Sequence, residues 1–297
     1  MFKKLTLFVL FSGLAPLSAQ AGLNVFACEP EWAQLATELG GEHVTVHSPT
    51  TAYQDPHYIQ ARPSLISKLR RTDLLVCTGA ELEIGWLPVL LERASNPKVM
   101  PGELGHFMAA DHVQLLEKLD RVDSTMGHVH AAGNPHFQTD PRRMLQVAEV
   151  LADRLAVLDS DNRLFYKERF EVFQRDLKSH LSRWANLSTT LKGMPIVVHH
   201  NSWVYMNNWL GLSQLATLEP KPGVPPSTAH LNQLLDQMKE HKADAIIYAA
   251  YQNAQGAKWL SDKTGIPQLQ IHSTVLSGET MTDFYQRLIG SFLKLKE

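Results

Sequence analysis

LNVFAC, residues 23–28, is a short apolar run that leads directly into a helical pattern from Trp32 to Leu39, and DLLVC, residues 73–77, repeats the arrangement ahead of a second helix. An apolar strand running straight into a helix is the repeating unit of a doubly wound parallel sheet. Outward from these two runs, Val44 to His47 reads as a strand, Ser64 to Arg71 and Gly85 to Arg93 as helices, and Lys98-Val99-Met100 as a short strand, completing a first αβ lobe. The alternation restarts after Gly193 with a strand at Ile196-Val197-Val198, a helix from Trp203 to Leu210 and a proline-rich loop from Glu219 to Pro226. Ser227 then serves as N-cap of a helix from Ala229 to Lys239. Strand Ala245 to Tyr248, helix Gln255 to Lys263, strand Leu269 to Ile271 and a closing helix from Met281 to Leu295 follow.

Between the two alternating blocks, Pro141 to about Leu191 is helical, interrupted where Asp159-Ser160-Asp161 can cap a new helix. The second half, Asn162 to Trp184, is roughly 35 Å long at 1.5 Å per residue, enough to brace two lobes. The expected architecture is therefore α/β: two doubly wound lobes, residues 22–158 and 193–297, joined by a single long rigid helix within residues 159–192.

The first residues set the compartment. Lys3 and Lys4, the run LTLFVLF, Pro16 and then Ala19-Gln20-Ala21 read as a secretory signal over residues 1–21, cut before Gly22; a retained signal-anchor is the alternative. Nothing after Gly22 holds about 20 uninterrupted apolar residues. The chain carries a net charge of −2, and loss of Lys3 and Lys4 makes it two units more negative, so no basic stripe is available for nucleic acid. The cysteines, Cys28 and Cys77, stand at the carboxyl ends of two candidate strands. If those strands are neighbours, their ends come close enough for a disulfide in an oxidising compartment; a pair of buried thiols is the alternative. Neither belongs to a C-x-x-C pair, which disfavours a metal thiolate.

Three histidines far apart in sequence carry the chemistry: His57 in QDPHYIQARPS, His136 in GNPHFQTDP and His200 in VVHHNSW. Each falls at or after a strand end, where open α/β sheets bind ligands, and Pro56 and Pro135 fix the backbone ahead of two of them. Neutral imidazole is a good zinc ligand, so a metal site between the lobes is expected, with His272, one residue past a strand, as the fourth donor. Asp55, Glu219, Tyr53 or a water are the alternative donors. His199 and His200 point to opposite faces of a strand, so only one enters the cleft. His128 and His130 form a small histidine-rich loop able to present both rings to a transient metal, against the simpler reading of solvated surface side chains. His43, His47, His106, His112, His180, His230 and His241 read as structural or exposed.

These residues together resemble the periplasmic metal-binding proteins of ABC importers, in particular the cluster A-I zinc-uptake group. The resemblance covers nearly the whole chain after residue 21 through Asp55-Pro56-His57, Arg62-Pro63-Ser64, Gly133-Asn134-Pro135-His136 with Asp140-Pro141, His200-Asn201-Ser202-Trp203 with Tyr205, and Trp209-Leu210-Gly211-Leu212. It implies two αβ lobes joined by a rigid helix, a metal buried between them at His57, His136 and His200, and delivery by a periplasmic monomer to a membrane permease powered by a cytoplasmic ATPase. The pattern departs in one place: where such proteins commonly supply a carboxylate near the start of the last loop, this chain has Ile271-His272-Ser273-Thr274, with no Asp or Glu before Glu279. An all-nitrogen site favours Zn2+ over Mn2+. The alternatives are a manganese or other divalent-metal binding protein or adhesin of the same fold, and a secreted zinc hydrolase. The last lacks a compact H-E-x-x-H pair or an evident general base. Capture and handover, not catalysis, is the expectation, with affinity falling as pH drops through the histidine range near 6.5.

Overall fold

The computed structural model describes residues 22–123 and 125–296. The secretory-signal segment, residues 1–21, lies outside the described residues. Two four-stranded, all-parallel sheets form the frame. The first is built from β1 (Leu23–Ala27), β2 (Val44–His47), β3 (Leu74–Cys77) and β4 (His106–Met108), in the order β2-β1-β3-β4. The second uses β5 (Pro195–Val198), β6 (Ser213–Thr217), β7 (Ala245–Ala249) and β8 (Gln268–Ile271) in the order β6-β5-β7-β8. Both halves thus share one topology, and the central strands are the near-continuous apolar runs that a sheet covered on both faces requires.

The helices of the first half are α1 (Pro30–Gly40), α2 (Pro63–Leu69) and α3 (Leu87–Ala94). Each begins with proline at its first or second position, where the missing N–H costs no helix hydrogen bond. Next come α4 (Pro141–Leu158) and α5 (Arg163–Leu187), which pack side by side. The second half carries α6 (Val204–Leu210), α7 (Thr228–Glu240), α8 (Gln255–Thr264) and α9 (Met281–Leu293). Ser227 caps α7 as expected, accepting from the His230 N–H. Among the described residues, no helix is long and apolar enough to cross a membrane.

At 25 residues, α5 spans roughly 38 Å. Its first half meets the first lobe, where Arg169 Nε donates to the Glu38 carbonyl at 2.8 Å. Its second half meets α9, where Trp184 Nε1 donates to Gln286 Oε1 at 2.9 Å. One continuous apolar core runs from Val25 and Trp32, through α4 and α5, to Ile196, Ile271 and Phe284. Two smaller clusters cover the outer face of each sheet, one around Phe26, Cys77 and Trp86, the other around Val197, Ile246 and Leu260.

Two local expectations are corrected. Pro97–Val99 is a 3-10 turn and not a strand, because Pro97 opens the turn and the Asn96 side chain accepts from the Lys98 N–H; β4 lies further on, at His106–Met108. Gly105 leads into it where no side chain fits, since a Cβ there would stand 2.4 Å from the carbonyl oxygens of Asp73 and Lys98. The acidic cluster before α5 does not cap that helix through a side chain; instead the Asp159 carboxylate accepts from Asn162 Nδ2 and from the Tyr166 hydroxyl. The edge strand β6 has a polar, half-exposed sequence, SQLAT, without the apolar run that marks β3, β5 and β7. Cys28 and Cys77 form a disulfide, because β1 and β3 are parallel neighbours and bring their carboxyl ends together with Cα atoms 4.8 Å apart.

Candidate metal centre

The loops that leave the carboxyl ends of the strands converge between the two sheets. His57 sits between β2 and α2, His136 just ahead of α4, and His200 two residues past β5. Their ring centroids are 5.4 Å apart for His57 and His136, 6.0 Å for His136 and His200, and 6.3 Å for His57 and His200. His57 and His136 are buried and His200 is half-buried. His136 and His200 line a cleft of about 430 Å³ together with His128, His130, Asn134 and Asn201, and His57 lines an adjacent recess that shares His128 with it.

Two carboxylates orient these rings. His57 Nδ1 pairs with Asp55 Oδ1 at 2.7 Å, and His200 Nδ1 pairs with Glu219 Oε2 at the same distance. A ring whose Nδ1–H donates to a carboxylate keeps its lone pair at Nε2, the tautomer that a metal ion needs. Burial alone would raise the Asp55 carboxyl, but its hydrogen bond with His57 holds it below the usual range. Glu219 is itself fixed by the Gly223 N–H at 2.9 Å. Asp55 and Glu219, read from sequence as alternative oxygen donors, are thus engaged with imidazoles.

Burial, reinforced by the neighbouring imidazoles, holds His136 well below the ordinary histidine range and His130 at about 3. Both rings are therefore neutral at physiological pH. Nε2 of His57, His128 and His136, and both nitrogens of His130, are buried without a hydrogen-bond partner. Unpaired buried imidazole nitrogens are costly unless something else engages them, and a soft or borderline cation suits a set composed of nitrogen.

His272 is not brought into this group. Its ring stands 5.0 Å from that of Tyr53, edge to face. The reason is alternation along the extended chain: Ile271, at the end of β8, enters the core, the Ser273 carbonyl accepts from Gln138 Nε2 and the Thr274 hydroxyl reaches Glu31, so His272 is displaced from the direction of the cleft. Tyr53 is exposed. His199 is buried beside the site with its Nε2 3.8 Å from Glu219 Oε1. The spacing of His128 and His130 suggested only a loose role, yet their rings lie 5.0 and 5.4 Å from that of His57. Among the described residues, His57, His128 and His130 have ring nitrogens that all fall within 4.8 Å of one another.

The loops that carry these residues are tied across the cleft. Tyr205 donates its hydroxyl proton to the Asn134 carbonyl at 2.6 Å and accepts from the Leu116 N–H at 2.9 Å. Asn134 Nδ2 donates to the Asn201 carbonyl at 2.7 Å, while its Oδ1 accepts from the His136 N–H. Asn134 therefore fixes the backbone of His136 and joins it to the residue after His200.

Comparison with known proteins identifies the family and the fold. The family model described as the zinc-uptake complex component A, periplasmic (ZnuA), matches residues 25–295. The high-affinity zinc uptake system protein ZnuA of Yersinia pestis is 26% identical over 200 residues, covering 63% of this chain and 63% of its own length. The manganese ABC transporter substrate-binding lipoprotein PsaA of Streptococcus mitis is 22% identical over 99% of this chain and 98% of its own. Among solved structures, a crystal structure of ZnuA superposes with a TM-score of 0.78 at 19% identity, covering 93% of this chain and all of that one. The solute-binding protein FpvC of Pseudomonas aeruginosa in complex with Mn2+ gives 0.76 at 16% identity, covering 92% of this chain and 98% of that one. At these identities the structural matches establish the two-lobed fold alone.

Proposed function

The chain belongs to the zinc-uptake component A family of periplasmic binding proteins, and on that premise we propose that it is the solute-binding component of a metal ABC importer, taking Zn2+ into the interlobe cleft and delivering it to a membrane permease driven by a cytoplasmic ATPase. It is a solute-binding protein and not an enzyme. In this reading residues 22–158 and 193–297 are the lobes, residues 159–192 bridge them, and the chain acts as a periplasmic monomer.

The observation that carries the reading is the convergence of His57, His136 and His200 with two of the three rings fixed through Nδ1 by Asp55 and Glu219. Such a nitrogen donor set favours Zn2+ over the harder Mn2+, which prefers oxygen. Since Asp55 and Glu219 are engaged with histidines, Glu117 accepts from Asn134 and Asn201, and His272 faces Tyr53, further donors come from the remaining cleft histidines or from water. Metal content by mass spectrometry of protein purified from the periplasm tests this. The expected result is about one zinc per wild-type chain, loss of zinc in His57→Ala and retention in His272→Ala. Manganese as the sole metal would overturn the zinc assignment, and absence of metal would overturn the capture function.

A further inference from the structure

Away from the histidines, Glu29, Glu31 and Glu83 are each no more than 3% exposed. Among the described residues, no basic side chain figures in the groups that act on them. Burial raises all three carboxyls, Glu83 and Glu31 raise Glu29 further, and the remaining influences are hydrogen bonds. Buried charges in proteins are paired or bound to a metal. The N-terminus of α1, which opens at Pro30 between Glu29 and Glu31, offsets only about half a charge.

The hydrogen bonds leave one oxygen over. The Thr78 N–H donates to Glu83 Oε1 at 2.7 Å and to Glu29 Oε2 at 3.3 Å. The Thr78 hydroxyl donates to Glu29 Oε2 at 3.1 Å, and the Gly79 N–H to Glu83 Oε2 at 3.1 Å. Both oxygens of Glu83 and one of Glu29 are thereby used, whereas Glu29 Oε1 is buried with no hydrogen-bond partner. Glu29 lines a cavity of about 20 Å³ that Glu83 does not reach, and Oε1 is the oxygen it has left to offer there.

Glu31, Thr50, Gln138, Ser273 and Thr274 stand in the wall of the same cavity, which contains no histidine, cysteine, lysine or arginine. Glu31 Oε2 accepts from the Thr274 hydroxyl. Gln138 Nε2 donates to the Ser273 carbonyl at 3.2 Å, so the oxygen end of that amide is the one left to accept. The wall therefore presents carboxylate, amide, hydroxyl and carbonyl oxygens drawn from both lobes. A space of this size admits one water-sized guest without a hydration shell. Ca2+ accepts about six to eight oxygens in irregular geometry, while Mg2+ demands a near-ideal octahedron and keeps its water, and Zn2+ is better served by nitrogen or sulfur. We propose that this cavity is a calcium site, in which Glu29 and Glu31 hold one Ca2+ with oxygens of Gln138 and of the loop after β8, and the ion pins the second lobe to the start of α1. It is separate from the histidine centre and independent of the zinc reading.

Equilibrium dialysis with radioactive Ca2+ at pH 7.5, on wild type, E29Q/E31Q and H57Q/H136Q, tests it. One calcium per chain is expected on wild type, with or without one equivalent of Zn2+, and on H57Q/H136Q, with affinity at least about 10-fold weaker in E29Q/E31Q. Absence of calcium from wild type would overturn the proposal, because the buried carboxyls would then be simply protonated. So would its loss in H57Q/H136Q or on addition of Zn2+, which would put the ion at the histidines, and so would unchanged affinity in E29Q/E31Q. Displacement by an equal concentration of Mg2+ or Mn2+ would overturn the choice of ion. Thermal unfolding of wild type and the single variant E31Q gives a second measurement should E29Q/E31Q not fold. Saturating Ca2+ should raise the wild-type Tm by about 5 °C and that of E31Q by much less. An equal rise in both proteins would assign the effect to surface acids and overturn the site.

Discussion

In the proposed metal centre, Asp55 and Glu219 act through the histidines they hold and not as ligands of the ion. Each holds a histidine through Nδ1, and removal of such a partner typically lowers metal affinity about 10- to 100-fold. Asp55→Asn and Glu219→Gln should fall in that range in a competition assay with a zinc chelator; unchanged affinity would mean that the rings are held without the carboxylates. A second group of carboxylates acts on stability. Burial pushes Glu31 and Glu83 each up to about 7, and raises Glu29, where the neighbouring Glu83 adds to the effect. Because the folded-state values exceed the ordinary one near 4.5, their contribution is complete below about pH 4.5 and is lost as pH rises through about 7. The neutral buried His130 and His136 act in the opposite sense: their folded values are depressed, so their contribution is present above about pH 6.5 and lost as pH falls below it. The difference between proteins isolates the acids. In the metal-free state, the melting temperature of Glu31→Gln relative to wild type should rise between pH 5 and pH 8, since glutamine still accepts from the Thr274 hydroxyl and cannot ionise. A constant difference across that range would rule out ionisation of Glu31 as the cause.

At the scale of elements, the strands that the sequence marks most strongly are the buried central ones. LNVFAC, DLLVC and the run at Ile196-Val197-Val198 stand out because both faces are apolar, whereas β6 and β4 escaped notice, one by being half polar and the other by its brevity. The break between α4 and α5 was legible from Asp159-Ser160-Asp161, although the side chains that settle it make contacts other than a cap. The convergence of His57, His136 and His200 between the sheets was legible from their places in loops that leave strand ends. The contact of His272 with Tyr53 and the approach of His128 and His130 to His57 were not, because they depend on the path of the chain after β8 and on a contact with Pro222 about 90 residues away. The disulfide between β1 and β3 closes a loop with a sequence separation of 49. By chain entropy it should stabilise the fold by about 4 kcal/mol, so the double variant Cys28→Ser/Cys77→Ser should show a loss of that order in urea unfolding. A negligible change would locate the stability of this lobe in its apolar clusters alone. Trp184 is the corresponding point on α5: fully buried, 5.7 Å from the Trp209 ring and 5.8 Å from the Tyr285 ring, it should cost about 3–5 kcal/mol on replacement by alanine.

At the scale of the molecule, α5 fastens both lobes, and the cleft is bridged on either side of the histidines. Tyr205 and Asn134 tie one side; the Tyr285 hydroxyl donates to the Gln138 carbonyl at 2.8 Å on the other. Wide opening would break these bonds together and expose the shared core, so exchange of the proposed ion is expected to involve loops and not lobes. Small-angle scattering of metal-free and zinc-loaded protein should therefore give superimposable profiles, and a clear change in radius of gyration would contradict this. The core that runs unbroken from Val25 to Phe284 has a final consequence. An interior owned jointly by both halves leaves each half, taken alone, only the smaller cluster on the outer face of its sheet. A fragment ending after the first sheet would keep that cluster and bare the larger core, and the molecule should be made, melted and degraded as one indivisible body.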